Sequence, residues 1–239
     1  MADNAGFYVL YVEQRFWNDR AFCFNWYKPG DIAPGKGEVA SVHSMVQHAL
    51  ERWPVDTDRV FVYGVSSGGG MSAAAMACYP EMFKAGAVVA GAAYRGASSN
   101  ELGRKALEDP SQVSAATLGE RVTALHPNGA HYPQLIIVHG TDDPIMDFNE
   151  GEALAKQWAV VNSADTLPTH VVHDFNNVAG VDQRSYADAV TFYVFHGLGH
   201  KLPVQPGAPP QRGGKVTFMS PDAGIHSTYL IAQGFGLVK

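Results

Sequence analysis

Apolar residues in this chain fall into short solid runs, separated by stretches with apolar positions three and four apart. Residues 7–12, 60–63, 85–90, 134–138 and 190–195 are such runs, rich in Val, Ile, Phe and Tyr. They show little period-two alternation, the mark of strands buried on both faces. Residues 169–174 add a short strand. Between the runs, Val39, Val42, Val46, Ala49 and Leu50 repeat with helical spacing over residues 38–53, and Pro54 ends that helix. Residues 149–161 repeat the pattern with Ala153, Leu154, Gln157 and Trp158 on one face. Residues 224–236 form a terminal helix capped by Asp222. Residues 98–119 are polar with weak helical character and are expected to cap the site or wrap the surface. Pro34-Gly35-Lys36-Gly37 is a turn and residues 203–214 a Pro/Gly loop. Strands alternating with helices predict an α/β protein, a mostly parallel sheet with helices on both faces.

Composition narrows the partners. With 46% hydrophobic and 17% charged residues, the 239-residue chain can bury a large core and is read as one domain, residues 1–239. A net charge of -6 and no basic block argue against nucleic acid. No apolar run reaches membrane-spanning length. Cys23 and Cys78 allow at most one internal disulfide. The histidines show no zinc spacing, so neither a metal nor another cofactor is expected.

Candidate chemistry begins where the run at residues 60–63 breaks into Gly64-Val65-Ser66-Ser67-Gly68 and is followed by the small residues 72–77. Strand, G-x-S-x-G, helix is the context of a nucleophile elbow. Gly64 and Gly68 leave room for a strained turn, and the helix start directs N–H groups at the site. The N–H of Ser67 is the expected oxyanion donor. Read instead as a phosphate loop, the glycine run lacks the closing Lys-Ser/Thr. In open α/β sheets reactive groups gather beyond the carboxyl ends of the strands. Asp142 and Asp143 follow one run and His196 and His200 another. Asp143 is preferred to Asp142, with Asp147 a distant third, because the later residue of the turn reaches over the sheet edge. His200 is preferred to His196 because it lies beyond the strand beside a loop. The order Ser66, Asp143, His200 is that of α/β-hydrolases. Aromatic residues crowd positions 16–27; Trp17, Trp26 and Tyr27 are candidates for lining a substrate cleft, against the alternative of plugging the core.

The stretch from Arg59 to Met71, with Tyr79-Pro80-Glu81-Met82-Phe83, resembles the polyhydroxybutyrate depolymerase esterase family, related to feruloyl and acetylxylan esterases. So do residues 6–14, Cys23-Phe24-Asn25-Trp26-Tyr27, His139-Gly140-Thr141-Asp142-Asp143, Gly197-Leu198-Gly199-His200 and Asp222-Ala223-Gly224-Ile225. The resemblance implies an α/β-hydrolase fold, ester hydrolysis, an extracellular setting, and a triad of Ser66, Asp143 and His200. Ser67 stands where the family often has alanine or asparagine. In that family further strands and a His-Gly oxyanion loop precede the strand like residues 7–12. The chain is therefore expected to be shortened at its N-terminus. It would lack the first strands and the second oxyanion donor, which weakens activity and exposes Val9, Val60 and Val62. The implied substrate is a hydroxyalkanoate polyester or its oligomers, or an aromatic or acetyl ester of plant polysaccharide. An acyltransferase with the same triad, and a non-catalytic remnant that binds polymer through the aromatic loop, stay open.

Overall fold

The computed structural model describes residues 1–96, 113–209 and 211–239. Its strands are β1 (Phe61–Val65), β2 (Ala85–Val89), β3 (Gln134–Gly140), β4 (His170–Val172), β5 (Val181–Tyr186) and β6 (Val190–Phe195). Its helices are α1 (Ala2–Ala5), α2 (Gly37–Arg52), α3 (Ser67–Cys78), α4 (Ala115–Thr123), α5 (Phe148–Val161) and α6 (Ser227–Gly234). The strands form one six-stranded sheet in the order β1-β2-β3-β6-β5-β4. β1, β2, β3 and β6 run parallel; β5 and β4 are added antiparallel.

Alternate side chains of each buried strand enter opposite cores. Leu135 and Ile137 of β3 and Phe192 and Val194 of β6 meet Val39 and Val42 of α2, the alanines of α3, Leu118 of α4, and Leu154 and Trp158 of α5. Ile136, Val138, Tyr193 and Phe195 enter the second core with Leu230 and Ile231 of α6. Covering on both faces is why these strands read as continuous apolar runs. Val65, Val89 and Val138 lie in one row across the sheet, and Val138 pairs with Tyr193 of β6. Ser66, Asp143 and His200 thus all leave the sheet at its carboxyl edge.

Several expectations are corrected. Residues 7–12 join no strand, and Tyr8, Val9, Leu10 and Tyr11 are exposed. Among the described residues nothing pairs with the outer edge of β1, and this run does not fill it. Val60 and Val62 are only half-buried. β5 was not expected: Asp182, Gln183, Arg184 and Ser185 disguise it. Arg184 pairs with Glu152 at 2.6 Å and lies over the Phe192 ring, while Gln183 donates to the Tyr193 hydroxyl. The terminal helix starts at Ser227 with no side-chain cap, and Asp222 instead accepts from the Gly224 N–H. Gly224 has φ +73°, which breaks any helix begun before it. Of the polar stretch 98–119, residues 98–112 lie outside the described residues. Its remainder opens α4, capped by the Ser114 hydroxyl, and packs on α5 through Gly119 and Val160.

Candidate active site

Ser66 sits between β1 and α3 with φ 57° and ψ -123°, a strained conformation for a residue with a side chain. Its N–H donates to Val89 O at 2.8 Å, which fastens the turn to the neighbouring strand. A Cβ at Gly64 would lie 2.0 Å from Gly68 O and 2.6 Å from Ser72 Oγ, so only glycine fits there. At Gly68 a Cβ would meet nothing within 4 Å; contrary to expectation, packing does not require that glycine. Ser67 is the first residue of α3, where a backbone N–H has no partner within the helix.

His200 Nε2 is 2.8 Å from Ser66 Oγ, and His200 Nδ1 is 2.8 Å from Asp143 Oδ2. The Asp143 side chain is wholly shielded from solvent. Burial alone would raise its pKa. Hydrogen bonds from His139 and His200, and from the Met146 and Ile145 N–H groups, outweigh burial and hold it well below the usual carboxylate range. An ionised carboxylate only accepts, so Nδ1 of His200 carries the proton and Nε2 is left to accept from the Ser66 hydroxyl. This arrangement can draw a proton from Ser66 and stabilise the imidazolium that results.

The acid turn and the histidine turn are stitched together. Thr141 N donates to Phe195 O, Asp142 N to Leu198 O, and Gly197 N to Thr141 Oγ1, all at 2.9–3.0 Å. A Cβ on Gly140 would be 2.0 Å from Leu198 O, so the two turns touch through a glycine. The other candidates sit elsewhere. Asp142 is exposed and accepts from its neighbour Thr141. Asp147 caps α5 through Asn149 N. His196 bonds Asp182, which His173 engages from the other side.

The aromatic segment lies against the elbow. Phe24 N donates to Ser67 Oγ at 3.2 Å. The half-buried Trp26 ring covers Gly70 of α3, where a Cβ would be 2.7 Å away, and meets Tyr27 edge-on. Trp26 is thus largely a packing residue. Trp17 is 90% exposed and clusters with Phe16, which also touches Phe22. Cys23 and Cys78 are free thiols, and no disulfide joins them. Cys78 donates to Ile32 O, and burial pushes its pKa up to about 12, which makes it a poor nucleophile.

Sequence reasoning passed over His139 and Glu38. Buried His139 places Nε2 2.9 Å from Met146 O and 3.5 Å from Asp143 Oδ2. A histidine in an otherwise apolar strand was the available signal, since buried polar groups are there to be bonded. Glu38, one helical turn before Val42, lies on the apolar side of α2. Among the described residues no group of three or more His, Cys, Asp or Glu could hold a metal ion, and no helix is long and apolar enough to cross a membrane.

A family model described as esterase PHB depolymerase matches residues 1–168. The chain belongs to that family. Ser66 and Asp143 lie within the matched residues; His200 lies beyond them, and its place beside Ser66 rests on geometry. Poly(3-hydroxyalkanoate) depolymerase C of Paucimonas lemoignei is 31% identical over 97% of this chain and 56% of its own length. An acetylxylan esterase of Coprinopsis cinerea is 32% identical over 84% of this chain and 55% of its own length. The chain thus spans little more than half the length of either relative. Its backbone is similar to that of acetyl xylan esterase from Aspergillus awamori. That match has a TM-score of 0.72 over 91% of this chain and 74% of that one, at 21% identity, and shows a shared α/β-hydrolase fold.

Proposed function

We propose that this esterase-family chain is a serine-dependent carboxylic ester hydrolase that cleaves hydroxyalkanoate polyester or its oligomers through an acyl-enzyme. The observation that carries the reading is the relay Ser66–His200–Asp143, two contacts of 2.8 Å ending on a buried carboxylate. Ser66 Oγ attacks the ester carbon while His200 Nε2 takes its proton. Asp143 holds the imidazole tautomer and stabilises the imidazolium. The Ser67 N–H donates to the developing oxyanion. His200 then protonates the leaving alcohol and activates the water that releases the acyl group. The relay needs no cofactor.

An apolar substrate is supported by what stands next to the relay. Ile145, two residues past Asp143, is 62% exposed. Phe218 is 85% exposed, lies under the Lys201 ammonium, and belongs to a turn held by Leu202 N donating to Met219 O. Trp17, 90% exposed, belongs to the same segment that is bonded to Ser67 through Phe24 N. Exposed apolar groups gathered around a reactive centre mark a binding surface. Action outside the cell is part of the proposal, supported only by the family resemblance. The acetylxylan esterase relative supports a second reading, an ester of plant polysaccharide. Comparing kcat/KM on 3-hydroxybutyrate trimer, acetylated xylan and methyl ferulate separates the two. The proposal expects the trimer to lead by about 10-fold or more. A lead for acetylated xylan or ferulate would move the assignment to polysaccharide esters.

A further inference from the structure

The aromatic segment, residues 14–27, is fastened from behind by one buried carboxylate that no part of the relay uses. Glu38 is 8% exposed, in the first turn of α2. It accepts from Asn25 N at 2.7 Å, from Asn25 Nδ2 at 2.6 Å and from Gln14 Nε2 at 2.6 Å. Gln14 Nε2 also donates to Cys23 O, while Gln14 Oε1 accepts from Arg15 N and Asn18 Nδ2. Both ends of the segment are thus tied to the same side chain. The buried Asn25 amide turns its NH2 to Glu38 and leaves Oδ1 with no hydrogen-bond partner. An orphaned buried acceptor is unfavourable, so the pull of the carboxylate decides the orientation. From the front, Phe24 N is held by Ser67 Oγ, on the residue whose N–H is the proposed oxyanion donor.

We infer that Glu38 is a positioning residue that fixes the aromatic segment against the nucleophile elbow, and so sets affinity for substrates long enough to reach that segment. The inference rests on the ester hydrolase reading. Glu38 touches neither Ser66 nor the relay, so a short acyl ester that fills only the reacting centre is indifferent to it. A longer substrate, lying across Trp17 and its neighbours, depends on where Glu38 holds them.

The test uses the full chain and Glu38→Gln, which keeps the shape but removes the charge and sets an NH2 group against at least the Asn25 N–H. For a 3-hydroxybutyrate oligomer, KM is expected to rise about 10-fold, the loss of a well-formed contact surface. Its kcat and the turnover of p-nitrophenyl acetate should stay within about 2-fold, the signature of lost uniform binding. Trypsin cleavage after the exposed Arg15 and Arg20 should accelerate about 10-fold as the segment opens more often. Glu38→Asp should recover part of both effects. Gln14→Leu, which removes one donor and spares the carboxylate, should show smaller shifts of the same kind and decides the matter if Glu38→Gln does not fold. Equal losses on short and long esters, or unchanged KM with unchanged cleavage, would overturn the inference. A wild-type chain that turns over no ester contradicts the hydrolase reading instead, while the cleavage rates still report whether Glu38 holds the segment.

Discussion

Asp143 has no contact with solvent, yet N–H groups from His139, His200, Ile145 and Met146 keep it ionised. Because its native pKa is depressed, its contribution to stability is complete above the unfolded carboxylate value of about 3.9. That contribution is lost as pH falls through the native value. His139→Phe keeps an aromatic ring edge-on to Phe148 but removes one donor from Asp143 and leaves Met146 O unpartnered. The native value of Asp143 then rises toward the unfolded one, so the variant has less of this stability to lose on acidification. Thermal melts from pH 3 to 7 should show the variant about 1–3 kcal/mol less stable at neutral pH, with the gap narrowing as the pH falls below about 4. Melting curves that stay parallel to the wild type across that range would show that His139 does not tune Asp143. Ser66 and its partners could be found from the chain alone because G-x-S-x-G is local, and because strand ends deliver their loops to one edge. His139 and Glu38 were harder to find: a polar residue on an apolar run or face signals burial, but only the folded turn brings His139 to Met146 O and Asp143, and only the folded segment brings Asn25 and Gln14 to Glu38. Nothing in a linear string says which buried polar residue supports which turn.

At the scale of elements, the relay depends on two loops being locked together rather than on either alone. Gly140 allows the closest approach, with Leu198 O where a Cβ would stand 2.0 Å away. Gly140→Ala has to push the histidine turn aside, and it cannot relax by moving a flexible side chain because the obstacle is backbone. A misplacement of roughly 1 Å costs about 100-fold in rate, so kcat should fall by about that much while circular dichroism stays native. A variant with wild-type kcat would show that the two turns have slack. The strands of the core were legible for a physical reason, since both faces are covered. β5 was not, because it lies beyond the parallel core and carries Arg184 and Gln183, which are satisfied by Glu152 of α5 and Tyr193 of β6. Residues 7–12 have the composition of a strand but pair with none, and composition alone cannot report pairing. The start of α6 was misplaced because Gly224 adopts a left-handed conformation that a helical pattern does not reveal.

The whole molecule brings together Asp143 and His200, 57 residues apart, and Ser66 and His200, 134 apart; Asp143 and His200 follow the adjacent strands β3 and β6, and Ser66 follows β1, two strands from β3 and three from β6. The sheet order does this, since β1, β2, β3 and β6 all end at one edge. On the proposed function, this convergence makes Ser66, among all the serines of the chain, a nucleophile. Labelling by a fluorophosphonate, followed by peptide mass mapping, tests it most directly. The probe reacts only with a serine whose proton is being drawn away. A single labelled site at Ser66 is expected, absent from Ser66→Ala and slowed by at least about 1,000-fold in His200→Ala. An unlabelled chain, a label on another serine, or undiminished labelling of His200→Ala would contradict it.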